Sequence, residues 1–445
     1  MPVASLDLLT GLVASARKAG ADAADAVMFK SAHLGLRQRL GKPEMLERSE
    51  SQDLGLRVLV GKRQASVSST DPSPKALAEL VERAVAMARL APEDPYCGLA
   101  EPNAIARSIP DLDLNDPAEP SPEALEARAM ETEDAARAVP GITNSEGAEA
   151  TWSRSEIAIA ASNGFAGSYA RSGHGVSVSV VAGTGAGMET DYDYSSSVYG
   201  DDLESAALVG RRAGERTVKR LNPKKAETAR VPVVFDPRVS SSLVSHVAGA
   251  ITGTSVARKV SFLKDQMGKQ ILASGLNIID DPLKPRGLRS RPFDGEGIAA
   301  RRWALVEDGI LKTWLLDLAS ARQLGLVTTG HASRGTSGPP GPSATNLYLE
   351  AGKISPDDLM ADIKSGFYVT SLMGSGVNMV TGDYSRGASG FWIENGKIAY
   401  PVSEVTVAGN LKDMFLKMTP ANDLQFRMAV NAPTIRVEGM TIAGR

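Results

Sequence analysis

The run Asp383-Tyr384-Ser385-Arg386 offers a carboxylate, a phenol and a guanidinium beside small residues. Arginine's planar fork matches a carboxylate, so these residues are candidates for holding the end of a peptide. An internal Asp–Arg pair that steadies a loop accounts for the same residues equally well. The small residues that follow, Gly387, Ala388, Ser389 and Gly390, would let a second backbone approach closely. An extended peptide could then join the sheet through main-chain hydrogen bonds, with little demand on its sequence.

The chain has four histidines and one cysteine. His33, His174 and His331 lie far apart with no paired spacing. Of these, His331 in the Gly/Pro/Ser stretch Thr328–Ser343 is best placed to face a substrate. His246 stands in Ser245-His246-Val247-Ala248-Gly249-Ala250-Ile251. A catalytic zinc needs three protein ligands and an open position, so one histidine among apolar neighbours reads as a packing residue. Cys97, being alone, can neither close an intrachain disulfide nor hold a metal. No Gly-x-Ser-x-Gly elbow occurs. Gly183-Thr184-Gly185-Ala186-Gly187 follows a strand, but a second strand is expected after it, whereas a phosphate loop opens directly into a helix. Gly374-Ser375-Gly376 has the same defect.

The elements that must position these groups form an α+β pattern. Gly55–Val60, a Gly61-Lys62 turn, Ala65–Thr70 and a helix up to Leu90 are followed by a similar set: Gly175–Val181, a turn at Gly183–Gly187, Tyr192–Tyr199 and a helix over Asp202–Leu221. A strand around Ala24–Arg39 precedes the first set, and a hairpin turning at Asn163-Gly164 precedes the second. Pro92–Pro120 reads as the connecting loop, and MPVASLDLLTGLVASARKAG as an amphipathic helix rather than a signal peptide. Asn222-Pro223-Lys224-Lys225 marks a boundary, giving an N-terminal α+β domain over 1–225 and a β-rich domain over 226–445. The second domain should hold the strand Val231–Phe235, a helix over Ser240–Gly253 and hairpins turning at Asp308-Gly309 and Asn395-Gly396, in a mostly antiparallel, partly closed barrel. Thr328–Ser343 reads as a mobile loop.

Composition narrows the class. Apolar content of 42% supports packed cores, and 43 glycines favour many turns. The net charge of −3, with no basic block, gives nucleic acid no electrostatic footing. No window approaches the ~18 apolar residues that span a bilayer, so a soluble cytoplasmic protein is expected.

The stretch GDYSRGASGFWIENGKIAYPVSEVTVAGN at 382–410 closely resembles the C-terminal signature of the TldD/TldE (PmbA) metallopeptidase family. Gly253–Lys259, Arg291-Pro292-Phe293-Asp294-Gly295-Glu296-Gly297 and Ser320–Gly325 extend the resemblance over most of the chain. In that family the catalytic TldD-type subunit carries His-Glu-x-x-x-His and a cysteine near the C-terminus. Matched on the first histidine, this chain keeps His246 but has Val247 and Ile251 in place of the glutamate and the second histidine, and no cysteine after Cys97. The resemblance therefore implies a TldE (PmbA)-type subunit without a metal of its own. It implies a heterodimer with a zinc-bearing TldD-type subunit that degrades unfolded peptides or removes leader peptides. A homodimer in the partner's absence is geometrically plausible. A stand-alone hydrolase built around Asp383, Arg386 and His331, or a non-hydrolytic interaction or regulatory protein, remain the other readings. Family names also carry a link to DNA gyrase, which this charge pattern does not support as direct DNA binding.

Overall fold

The computed structural model describes residues 2–444; Met1 and Arg445, at the ends of the expected domains, lie outside the described residues. Helix α1 (Pro2–Lys18), strands β1 (Ala23–Arg39), β2 (Lys42–Val60) and β3 (Arg63–Ser69) and helix α2 (Pro74–Leu90) make one unit. Helix α3 (Pro122–Arg137), strands β4 (Ile142–Ala161), β5 (Ala166–Ala182) and β6 (Glu189–Ser197) and helix α4 (Ala206–Lys219) repeat it. The expected repeat thus gains a helix at the head of each unit. Of these, α3 was not anticipated, although Ser121-Pro122 at its start echoes Ser73-Pro74 at the start of α2. Both serines cap their helix by accepting the amide of the residue three positions on, and both prolines occupy the first turn, where no amide hydrogen is needed.

The two units share one sheet, ordered β3-β2-β1-β4-β5-β6, because β1 pairs antiparallel with β4 from Asp25↔Ala161 to Gln38↔Ala148. Alternation then sorts the side chains. Ala24, Ala26 and Met28 pack with Leu56, Val58, Leu80 and Val85 beneath α1 and α2. Leu34 and Leu36 pack with Val176, Val178 and Val209 beneath α3 and α4. From the opposite face, Val27 and Ile159 meet Phe165 and Phe293, the latter from the second half of the chain.

That half begins with β7 (Ala229–Phe235) and α5 (Pro237–Ala250). Strand β7 lies parallel to Ser365–Met373, which is followed by Asp383–Glu394 and Lys397–Asn410, while Ile435–Ala443 lies on the other side of β7. Thr406–Ala408 pairs with Thr441–Ala443 and closes these five strands into a barrel. Helix α5 sends Leu243, Val244 and Val247 into a core shared with Phe235, Phe367 and Ile435. Both expected two-residue turns are present. Asn395 and Gly396 have φ of 49° and 78°, and Asp308 and Gly309 of 50° and 74°, the positive pair that such hairpins require. The expected strand Ile310–Leu316 is shorter, ending at Leu311. Among the described residues no helix is long and apolar enough to cross a membrane.

The Thr328–Ser343 stretch is not a free loop. Ala332–Ser333 pairs with Gly341–Pro342, and the backbone of Thr336 lies against Gly55 of β2. Between them Arg334 places Nη1 2.7 Å from Asp25 of β1, which also holds Arg57 at 2.5 Å. All three side chains are buried. Burial pushes the Asp25 carboxyl up, but Arg334 and Arg57 outweigh it and hold it below the ordinary carboxylate range. The loop is therefore a latch between the two halves, built on charges that the flexible composition of the sequence conceals. A Cβ at Gly55 would stand 2.3 Å from the Thr336 carbonyl oxygen. Gly55→Ala should displace the latch, and limited proteolysis should then cut within 328–343 faster than in the parent protein.

Glu296 lies behind this latch, its Oε2 accepting the Leu318 amide at 2.8 Å. Burial, and then the neighbouring Asp294, push its carboxyl up to about 8. A raised carboxyl favours the folded state only while it is protonated, so stability should fall as pH rises from 4.5 to about 8. The slope is about 1.4 kcal/mol per pH unit for one such group. Glu296→Gln should flatten this dependence, as read from urea-unfolding midpoints across that range.

Candidate functional site

Asp236 caps α5 by accepting the Arg238 amide, and Pro237 follows it in the first turn. With the helix so placed, Arg238, Ser242 and His246 fall at four-residue spacing along one face. Val247 and Ile251, the residues in place of the family's glutamate and second histidine, point elsewhere: they are 1% and 0% exposed within the core.

The strand that carries Asp383-Tyr384-Ser385-Arg386 faces α5 with alternate residues only. Tyr384 is buried with its ring edge-on to His246, centroids 6.1 Å apart at 76°. Arg386 follows on the same face. Asp383 is exposed on the opposite face, where its carboxylate accepts from Thr381 Oγ1 at 2.6 Å and Asn410 Nδ2 at 3.1 Å. The hydrogen bond from Thr381, then that from Asn410, holds its carboxyl below the ordinary range. Ser385 is exposed beside it. The run thus splits between two faces, and neither a shared clamp nor an Asp383–Arg386 pair forms. A second expectation also fails. Gly387–Gly390 do not border a free edge, because Ser365–Met373 and Lys397–Asn410 pair with the strand on its two sides.

Three polar atoms meet here without a partner: His246 Nε2, Tyr384 Oη and Arg386 Nε, all buried. Burial, and then the Arg386 charge, push the His246 ring below its ordinary value, so it is neutral near pH 7. Burial pushes the Tyr384 phenol up to about 12. Arg386 lines a cavity of about 390 Å³ together with Arg220, Arg238, Asp191, Thr370 and Ser371. The cavity lies at the seam between β6, α5 and the strand Ser365–Met373. Arg238 approaches Asp191 to 2.8 Å and Asp236 to 3.5 Å, and Arg220 approaches Glu189 to 3.3 Å and Asp191 to 3.6 Å. The Arg386 side chain makes no hydrogen bond or ion pair among the described residues. Thr370 is the extra residue of a bulge, with Val369↔Gly390 and Ser371↔Ser389 on either side of it.

His331 lies outside this constellation, buried in the interior. Its Nδ1 is 2.7 Å from Thr329 Oγ1 and its Nε2 3.2 Å from Asp280 Oδ2, and the ring is 1% exposed. His174 is buried against Asp116 at 3.1 Å, and Cys97 is buried with its thiol pushed up by desolvation. The partners of Arg386 around the cavity were not singled out from the sequence. One signal was readable, the 238, 242, 246 spacing on a single helix face.

A metal at His246 does not suit these residues. The charge that acts on its ring is the Arg386 guanidinium rather than a carboxylate, and Val247 and Ile251 supply only hydrocarbon. Among the described residues no three His, Cys, Asp or Glu side chains converge as a ligand set.

Models of the PmbA/TldA metallopeptidase match residues 24–88 (domain 1), 115–221 (central domain) and 228–444 (C-terminal domain). The chain belongs to the PmbA/TldD metallopeptidase family. It is 40% identical over 426 residues to Metalloprotease PmbA of Escherichia coli O157:H7, covering 95% of this chain and 93% of the relative. A Metalloprotease TldD homolog of Buchnera aphidicola is 26% identical over 59% of this chain and 58% of its own length, so the likeness is greater on the PmbA side. The crystal structure of TldE from Thermococcus kodakarensis superposes with a TM-score of 0.89 at 22% identity, covering 98% of this chain and 100% of that one, and so shares the fold.

An unpaired buried hydroxyl costs about 1–3 kcal/mol, so Tyr384→Phe should leave the unfolding midpoint unchanged or higher. A clear fall in the urea midpoint would mean that the hydroxyl has a partner in the folded protein.

Proposed function

We propose that this chain is the non-metal-binding subunit of a TldD/TldE-type peptidase, cytoplasmic, and that it acts with a zinc-bearing TldD-type subunit on unfolded peptides or leader peptides. One observation carries the reading: the histidine in the position of the family's first metal ligand lies in the field of the Arg386 charge, while Val247 and Ile251 are buried in the core. A fixed positive charge beside a lone neutral imidazole opposes a divalent cation. The partner would supply zinc, the activated water and the general base. This chain would close part of the chamber and steady the peptide, with Arg386 and the cavity it lines as the contact region. Alone, it could pair with a second copy.

The test is co-purification with a TldD-type subunit, with zinc content and cleavage of an unfolded peptide measured for each chain and for the pair. The expected outcome is zinc in the partner alone and cleavage only by the pair. Stoichiometric zinc in this chain by itself, or cleavage by the purified chain after metal stripping, would overturn the reading.

A further inference from the structure

The cavity at the seam carries one arginine, Arg386, that forms no ion pair among the described residues. Arg220 and Arg238, which also line it, are offset by Glu189, Asp191 and Asp236. Arg220 is further tied to Ser389 Oγ at 3.1 Å, and Arg238 to the Tyr192 carbonyl at 3.3 Å. Arg386 has no such partner, although it is half-buried and its Nε is sealed from solvent. With its Nε sealed and no acceptor on the chain's described side chains, Arg386 keeps its outer donors available to a ligand in the cavity. The groups behind Arg386 add no charge, since His246 is neutral and Tyr384 keeps its proton.

We propose that this cavity binds the free C-terminal carboxylate of a peptide, with Arg386 as the anion-binding residue. Three features select that ligand. Arg386 is the one arginine of the three with no carboxylate in ion-pair range, so one carboxylate suffices to pair it, whereas a phosphate dianion would bring a second negative charge toward Asp191. The guanidinium fork offers a carboxylate two parallel donors. The walls around Arg386 mix hydroxyls of Ser242, Thr370 and Ser371 with the hydrocarbon of Val239 and Leu372, suited to the last residue of a peptide rather than to a bare ion. At about 390 Å³ the space accommodates a terminal residue but not a folded segment. The bulge at Thr370 turns that strand's side chain into the same space. The consequence is a substrate requirement: peptides are held by a free C-terminus, and internal sequence is read little.

This proposal rests on the peptide-holding role given above, but its test does not need the partner subunit. Isothermal titration calorimetry of the full chain would compare an N-acetylated unstructured pentapeptide as the free acid and as the C-terminal amide. The free acid should bind about tenfold or more tightly than the amide, as expected for one lost charge-assisted hydrogen-bond pair. Arg386→Gln should remove that difference and leave amide binding as it was. Arg386→Lys should retain part of it, and Asp383→Asn, on the other face of the strand, all of it. Acetate should compete with the free acid better than inorganic phosphate does. Equal binding of acid and amide by the parent protein, binding of neither at millimolar peptide, or stronger competition by phosphate would overturn the proposal. Failure to pair with a zinc-bearing subunit would leave a measured acid-over-amide preference standing, so the two readings fail separately.

Discussion

Closure of the five-stranded barrel is the constraint on which the seam depends. Once Thr406–Ala408 pairs with Thr441–Ala443, every barrel strand has a neighbour on both sides and each residue's face is set. Tyr384 and Arg386 must then look toward α5, and Asp383 and Ser385 away from it. A slip of one residue would exchange the two pairs and bury a carboxylate against His246. The same closure removes the sheet edge on which an added peptide strand would have formed, so any hold on a ligand passes from main chain to side chains.

The N-terminal half supplies the other wall by similar logic. Pairing of β1 with β4 fuses two units into one sheet with helices on one face, leaving the other free to meet the barrel half. That meeting joins the apolar contact at Phe293 to a set of ion pairs. Asp191 of β6 holds Arg238 of α5, Asp25 of β1 holds Arg334, and Asp193 holds Arg427 at 3.2 Å. Removing one member of a buried pair leaves an uncompensated charge and costs more than the pair's net contribution. Such a seam therefore fixes geometry more than it adds stability. Arg386 stands out against this background as the arginine at the seam cavity that the network leaves unpaired.

Much of this could be read from the chain, and the failures have physical causes. The Asn395-Gly396 and Asp308-Gly309 turns were legible because only certain residues adopt two successive positive φ angles cheaply. The N-terminal repeat was legible from period-two and helical alternation. The stretch 383–390 was harder, since Ser385, Gly387, Ser389 and Gly390 are poor strand formers and nothing local shows that a barrel holds them extended. Treated as a loop, its four polar residues look like one cluster; as a strand, they fall on two faces. Thr328–Ser343 misled in the opposite sense, because its glycines and prolines suggest freedom while Arg334 is held by Asp25, an acid more than three hundred residues away.

By itself the sequence determined the turns, the helix caps, the apolar stripe of α5 and the loss of metal-ligand types at Val247 and Ile251. Each of these rests on side-chain chemistry within a few positions. Only the tertiary structure decided that β1 joins β4, that the barrel closes, that His331 is interior, and that Arg386 lies near His246 and Tyr384 with no ion-pair partner among the described residues. Those outcomes depend on contacts between segments far apart in the chain, and whether a charge is spent or free can be counted only after the chain has folded around it.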